Sequence, residues 1–468
     1  MPFILGANSL TGGYTVDNSL RFDEASTTFL SKASFGTPTS TTKSTVSFWC
    51  KRSLVEEGII FMNDSATFPI AKIYFDSSHR FSYVEFNPTI YVQKTTSALF
   101  RDLSAWSHFV VAVDTTQGSA DNRIKIYHNG TQVTSFAQST VPAQDSNVII
   151  NNNLRTGIGG TGVAGGDGFE GYIAELVRID GQALAPTDFG EFDEDSGIWK
   201  PIDVSGLTFG DNGFYLETKD SGALGADTSG NGNNFTVNNL TAVDQSTDTP
   251  TNNFATFNPL FTPNPSNVST FSEGNLKVVT NSTSQNSDGL STLGVSSGKY
   301  YGEFKLIAQA TGESVCGVLN NIENVTTEGL NGTGGFSVAS NGDSFNNGSS
   351  QGANNFSASY TNNDIIGIAL DLDNNRVYFS KNGSYTDGSG NFDESSPTGY
   401  FSLTSGQTYF MGVGDKSTSQ SSTWEANFGS PSFAISSGNT DPNGYGNFEY
   451  AVPSGYYALN TKNLAEYG

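Results

Sequence analysis

Two cysteines and three histidines in 468 residues leave little for cysteine or histidine chemistry. Cys50 and Cys316 fall one in each half, which excludes a disulfide framework and a cysteine-based metal site. Each reads as a small apolar filler of a strand. A serine or cysteine triad needs a histidine base. His79 follows Asp76-Ser77-Ser78 in a turn, and His108 and His128 stand at strand edges, so structural or surface roles are expected for all three. Positive charge is also scarce, with 22 Lys and Arg against 46 Asp and Glu and a formal net charge of −24. Nucleic acid and anionic lipid are disfavoured as partners, because both require clustered cations. The acidic surplus suits solubility. The N-terminus, MPFILGANSLTGG, lacks the basic start and the apolar length of a signal peptide or membrane span. Synthesis in a cytoplasm without a signal peptide is the expectation, and membrane insertion is not. Heptads, collagen triplets and short repeats are missing as well, which argues against a long fibre shaft.

What the chain does have is 53 glycines, 34 phenylalanines and many Asn, Ser and Thr, with no sustained 3.6-residue period. That composition suits short strands joined by turns, and predicts an all-β protein. One stretch, NNDIIGIALDLDNNRVYFSKNG (Asn362 to Gly383), organises the rest. Ile366, Ile368, Leu370 and Leu372 share one side of a first strand, and Val377 and Phe379 one side of a second. Asn382-Gly383 is a hairpin signal, because both residues tolerate positive φ. The pattern has an echo in HFVVAVDTTQGSADNRIKIYHNG (His108 to Gly130), which also ends in Asn-Gly. Two copies of one antiparallel idea are therefore expected.

Residues 1–200 form the first expected domain, with strands at Ser19–Phe22, Val46–Lys51, Ile59–Phe61, Ile70–Phe75, Phe81–Phe86, His108–Asp114, Arg123–His128, Val148–Ile150, Arg155–Gly159 and Gly171–Asp180. Val46, Phe48 and Cys50 face one way and Trp49 the other, which suits two sheets packed face to face. Residues 201–265 read as a connector, where Phe214–Glu217 and Phe235–Val237 would form a hairpin laid on a neighbour. Residues 266–468 form the last domain, opened by GKYYGEFKL (Gly298 to Leu306) and centred on the Asn362–Gly383 hairpin.

The segments SLRFDEASTTFLSKAS, TVSFWCKRS, FRDLSAWSHFVVAVDTTQGSADNRIKIYHNGTQV and FEGYIAELVRIDGQALAPTDFGEFDEDSGIWKP resemble the laminin-G-like, concanavalin-A-like domain of tailed-bacteriophage virion proteins. GKYYGEFKL, the central hairpin, TYFMGVG and WEANFGSPSF are similar to a SPRY domain, and VPSGYYALNTKNL to the end of phage SPRY proteins. The resemblance implies two concanavalin-A-like antiparallel sandwiches of jelly-roll type, joined by a β-rich connector. It also implies a non-enzymatic structural protein on the outside of a virion. Such a protein would belong to a tail fibre or appendage and recognise a host-surface glycan or outer-membrane protein. It would contact other tail or capsid proteins and assemble as a homo-oligomer, with a trimer expected. The alternatives are an architectural head or tail decoration protein without receptor binding, and a polysaccharide depolymerase.

The chemistry visible in the residues is sparse. Concanavalin-A-like folds also host glucanases, which need two positioned carboxylates. Neither Glu191 to Asp195 nor Glu175 to Asp180 has the spacing of such a pair along one strand. The best calcium candidate is ADTSGNGNN, with Asp227, Asn231 and Asn233, although one local carboxylate favours a polar turn. No other cofactor is expected. GIGGTGVAGGDG (Gly157 to Gly168) lacks the Lys-Ser or Lys-Thr ending of a phosphate cradle. For glycan stacking, the candidates are Asp343, Phe345 and Asn346 in the long loop Ser340 to Asn355, and Tyr385 beside the Asn382-Gly383 turn.

Overall fold

The alternation in VSFWC becomes the two faces of one central strand, Lys43–Arg52, held between Ser107–Asp114 and Gly171–Asp180. The computed structural model describes residues 13–23, 27–65, 67–163, 167–261, 268–281, 288–309, 314–320, 329–353, 358–415 and 421–468. Strands dominate it, and an α-helix, Thr461–Tyr467, starts at Asn460, whose side chain accepts the Asn463 N–H. The chain divides between Thr251 and Asn252 into two units, each built of sheets that are antiparallel apart from one short parallel pairing, Lys299–Gln309 with Tyr457–Ala458, in the second.

In the first unit one sheet runs in the order Thr131–Gln132, Ile124–His128, Ser107–Asp114, Lys43–Arg52, Gly171–Asp180, Ser19–Phe22, Gln245–Ser246. The other runs Phe136–Thr140, Ile90–Thr96, Phe81–Phe86, Ile70–Phe75, Gly58–Asp64, Arg155–Ile158, Phe29–Lys32, Thr236–Asn238. Val46, Phe48 and Cys50 enter the core between the sheets with Phe61, Phe81 and Phe109. Trp49 faces outward into a smaller cluster with Val16, Ala174 and Trp199. Burial of this aromatic and β-branched surface drives the sandwich together.

Three expectations change here. Val148–Ile150 is buried but is not a strand. The N–H groups of Ile149 and Ile150 donate to Glu85 Oε1 at 2.9 and 3.0 Å, so a buried carboxylate replaces a neighbouring strand as their acceptor. Phe29–Lys32 and Ile90–Thr96 are strands that the sequence reading passed over. The expected connector, 201–265, is not a separate element. Phe214–Leu216 pairs with Gly171–Asp180, Thr236–Asn238 with Phe29–Lys32, and Gln245–Ser246 with Ser19–Phe22. Its two apolar strands extend different sheets of the first sandwich instead of pairing with each other, and the boundary falls at 251.

In the second unit Lys299–Gln309 lies between Ile365–Asp371 and Ser422–Asn427 in a ten-stranded sheet. A six-stranded sheet runs Asp288–Leu290, Phe410–Asp415, Ser314–Leu319, Gly335–Ala339, Asp343–Asn346, Ser349–Ala353. Ile366, Ile368, Leu370, Leu372, Val377 and Phe379 share the main core, as their alternation requires. The expected loop from Ser340 contains a hairpin, Asp343–Asn346 with Ser349–Ala353, turned at Asn347 and Gly348 with φ of 51° and 79°. The Asn-Gly signal at 382–383 therefore applies here too. Asn354 and Asn355, at its end, lie outside the described residues.

Candidate binding cleft

The structure employs the candidate glycan residues in packing. Phe345, 8% exposed, lies in a cluster with Leu290, Val315, Leu319, Leu330 and Ala339. Tyr385, 4% exposed, packs with Tyr301, Tyr378, Phe448 and Tyr456. Both were expected on exposed loops. Phe345 is on a strand, and the C-terminal stretch that carries Phe448 and Tyr456 covers Tyr385. Asp343 exchanges hydrogen bonds with Asn341 at 3.0 and 3.2 Å, and Asn346 pairs with Ser349 in the strand ladder.

The calcium candidate is a hydrogen-bonded knot. Asp227 Oδ1 accepts the N–H groups of Tyr215 and Ser229 at 3.0 and 2.9 Å, and Oδ2 accepts that of Asn233 at 2.7 Å. The side-chain amides of Asn231 and Asn233 both donate to the Gly213 carbonyl, at 3.0 and 2.8 Å. Amide donors occupy the carboxylate that a cation would need, and the loop ties itself to Phe214–Leu216. Among the described residues no three His, Cys, Asp or Glu side chains gather as a metal site would require.

Of the histidines, His108 is held by structural contacts. His108 is buried between Ser47 Oγ at 2.8 Å and the Trp199 Nε1–H at 3.0 Å, and burial, followed by the charge of His128, holds its pKa down to about 3. Glu175 accepts from Tyr14 Oη at 3.0 Å and Tyr215 Oη at 2.5 Å, and burial pushes its carboxyl up to about 7.

A cleft of about 270 Å³ opens where residues 97–106 cross from the strand Ile90–Thr96 in one sheet to Ser107–Asp114 in the other. Its lining includes Arg52 from the end of the central strand, Phe75, Leu99, Phe100, Arg101, Asp102, Trp106, Phe109, His128 and Asn129. Phe100 is fixed on both sides: its N–H donates to the His79 carbonyl at 2.7 Å, and its carbonyl accepts Arg52 Nη1 at 2.6 Å. Its ring stands edge-on to Phe109 and His128, at 5.0 Å from each. The Trp106 Nε1–H donates to Asp248 Oδ1 at 2.9 Å, and Asp248 Oδ2 accepts Lys51 Nζ at 2.8 Å in a buried ion pair. Asp102 Oδ1 accepts both the N–H and the hydroxyl of Ser104, at 2.8 and 2.7 Å, and shapes the loop. Two half-exposed aromatic rings, a guanidinium pair, a carboxylate and an amide thus converge on a concave site, the composition expected of a small-ligand pocket. The sequence reading missed it. The one local signal, Arg-Asp beside Trp in FRDLSAWS, marks the loop but not the strands that complete it.

Residues 24–188 match a laminin G-type family model described as the concanavalin A-like lectin/glucanases superfamily, and every cleft residue lies inside that span. No curated protein matches the sequence. The SPRY domain of human HERC1 is similar in structure at 18% identity over 36% of this chain and 96% of that one, with a TM-score of 0.28. A heptameric SAP-like pentraxin from Limulus polyphemus gives 16% identity over 36% of this chain and 78% of that one, with a TM-score of 0.28. The TRIM65 PSpry domain gives 16% over 37% and 91%, with a TM-score of 0.27. At these TM-scores the likeness carries no argument about function. The chain thus carries a concanavalin A-like domain over residues 24–188, within an all-β architecture of antiparallel sheets.

Proposed function

We propose that this chain is a non-enzymatic glycan-binding protein of a tailed-phage virion. It would be exposed on a tail fibre or appendage and serve host recognition. The observation that carries the binding reading is the cleft at residues 50–129, which lies wholly within the segment that matches a lectin-type family. Rigid sheets presenting a loop-built site suit recognition. The virion setting rests on the resemblance of the sequence to phage proteins. Asp102 is the one carboxylate in the cleft lining, whereas glycoside hydrolysis uses two, which favours binding over cleavage. On this reading the partners are a bacterial surface glycan and other virion proteins, the assembly is a homo-trimer, and no cofactor is used.

The test is binding of the purified chain to host cells before and after periodate oxidation of their surface sugars. Loss of binding on oxidation supports the reading. Undiminished binding would move the receptor to an outer-membrane protein. A complete lack of binding would favour the architectural alternative. One feature fits that alternative: Phe68 and Ile90, 44% and 46% exposed, stand at hairpin tips on the same end of one sheet of the first unit.

A further inference from the structure

We infer that the cleft of the first sandwich takes an acidic sugar, with its anionic group seated against Arg52 and Arg101; this rests on the glycan-binding reading above. Arg52 ends the central strand Lys43–Arg52. Its residue is 5% exposed, yet its side chain lines the cleft. Nη1 donates to the Phe100 carbonyl and Nη2 to the Glu56 carbonyl, each at 2.6 Å, and the guanidinium lies 4.4 Å over the Phe75 ring. Each of these nitrogens carries a second N–H. Among the described residues, no ion pair includes Arg52 or Arg101.

Two other deep cations of this unit are neutralised by carboxylates, whereas Arg178 and Lys94 are held by the neutral oxygens of Asn151 and Ser139 and, unlike Arg52, do not line the cleft. Lys51, the preceding residue, holds Asp248 at 2.8 Å, and Arg21 holds Asp244 at 3.0 Å. Arg52 has two carbonyl dipoles and a ring face instead of a full counter-charge. Burial lowers its pKa to about 10, and the acid acting on it, Asp76, spends Oδ1 on the N–H groups of Ser78 and Arg80 at 2.9 and 2.8 Å. A cation withdrawn from water without a partner is costly. An anion entering the cleft would supply the missing charge and form short, charge-assisted hydrogen bonds with a planar donor fork.

Arg101 adds a second, exposed guanidinium on the same lining. Asp102 opposes it in charge, but its Oδ1 is turned to Ser104. Phe100 and Trp106 offer the flat apolar surface that a sugar ring needs, which a bare anion would not use. The anionic group is a uronate carboxylate or a phosphate ester on the sugar, and the two share this chemistry.

The experiment titrates the full chain by calorimetry with four probes. They are a glucuronate-bearing oligosaccharide, the same oligosaccharide with its carboxylates reduced to alcohols, a sugar phosphate, and a neutral glucose oligosaccharide. It is repeated with Arg101→Gln and Arg52→Gln. Arg52 is buried and its variant can unfold, so Arg101→Gln, checked for native melting, carries the mutational arm. Carboxyl reduction and Arg101→Gln are each expected to weaken uronate binding by about tenfold or more. Binding of the sugar phosphate alone supports the site with phosphate as its anion. Equal binding of the acidic and reduced forms, or an unaffected Arg101→Gln, overturns the acidic specificity and leaves the glycan reading standing. A lack of binding to all four probes overturns both.

Discussion

The backbone N–H of Asn382 donates to the Ile365 carbonyl at 2.8 Å, and the Asn382 side-chain oxygen accepts the Ile365 N–H at 2.9 Å. Asn129 does the same to His108 in the first sandwich, at 2.9 and 2.7 Å. Both asparagines take positive φ, 50° and 45°, and each is followed by a glycine at 82° or 76°. Asn suits the position twice: it tolerates the left-handed region, and its short carbonyl reaches an N–H at the start of the partner strand. Asn382→Ala is therefore expected to destabilise the second unit by about 1–2 kcal/mol, through the lost hydrogen bond and the strained backbone. Asn382→Gly, which relieves the strain, should lose less. Urea midpoints with unchanged slopes would show this. Equal losses for Ala and Gly would remove the backbone part of the argument.

Glu303 gives a pH dependence with a definite sign. Its carboxylate accepts from Tyr301 Oη at 3.1 Å, Asn427 Nδ2 at 3.2 Å, and the N–H groups of Glu449 and Tyr450 at 2.9 and 2.8 Å. Burial nonetheless outweighs these donors and pushes its pKa from 4.5 to about 7. The fold holds a proton that the unfolded chain releases near 4.5. Its stabilising effect is complete below that pH, is lost as pH rises to about 7, and changes little beyond. Stability should therefore fall between pH 5 and 7.5, and Glu303→Gln should flatten that fall by roughly 2–3 kcal/mol. Glu175 at about 7 and Asp288 at about 8, both raised by burial, act in the same direction, so part of the slope should survive in the variant. A urea midpoint that rises across this window would contradict the assignment.

How far the sequence reaches depends on whether a signal is local. Alternation in VSFWC and in IIGIALDL placed Phe48 and Ile368 in the cores and Trp49 on the opposite face, because side-chain direction along a strand is set residue by residue. The fate of Tyr385 was not legible. Its burial depends on Phe448 and Tyr456 folding back over it from the C-terminal stretch. The cleft was illegible for the same reason. Arg52, Phe75, Trp106 and His128 meet only because two sheets stack and one loop crosses between them.

Net charge predicts how the proposed homo-oligomer would behave. Copies that carry −24 each repel one another at distances that salt screens. Light scattering is expected to report a larger mass at about 500 mM salt than at about 10 mM, where the screening length is near 30 Å. Equal masses would mean that the contacts between copies do not feel the net charge.

Asp248 decides where the first sandwich can be cut. It lies 142 residues from Trp106 in sequence, yet it accepts the Trp106 indole N–H at 2.9 Å and pairs with buried Lys51. Asn at 248 can accept one of these donors and leaves Lys51 without its counter-charge, an error that typically costs about 3–5 kcal/mol. Asp248→Asn should therefore lower the melting temperature of the first unit and weaken the proposed glycan binding, because the Trp106 wall of the cleft loses its anchor. A fragment ending at residue 200 makes the same error more severely. It also lacks Phe214–Leu216, Thr236–Asn238 and Gln245–Ser246, which extend the two sheets. A fragment of residues 10–251 is expected to melt cooperatively and keep the binding of the whole chain, whereas residues 10–200 should aggregate or unfold on expression. Cooperative melting of the shorter fragment with binding intact would show that the Asp248 contact is dispensable and that the cleft is supported by its own loop alone.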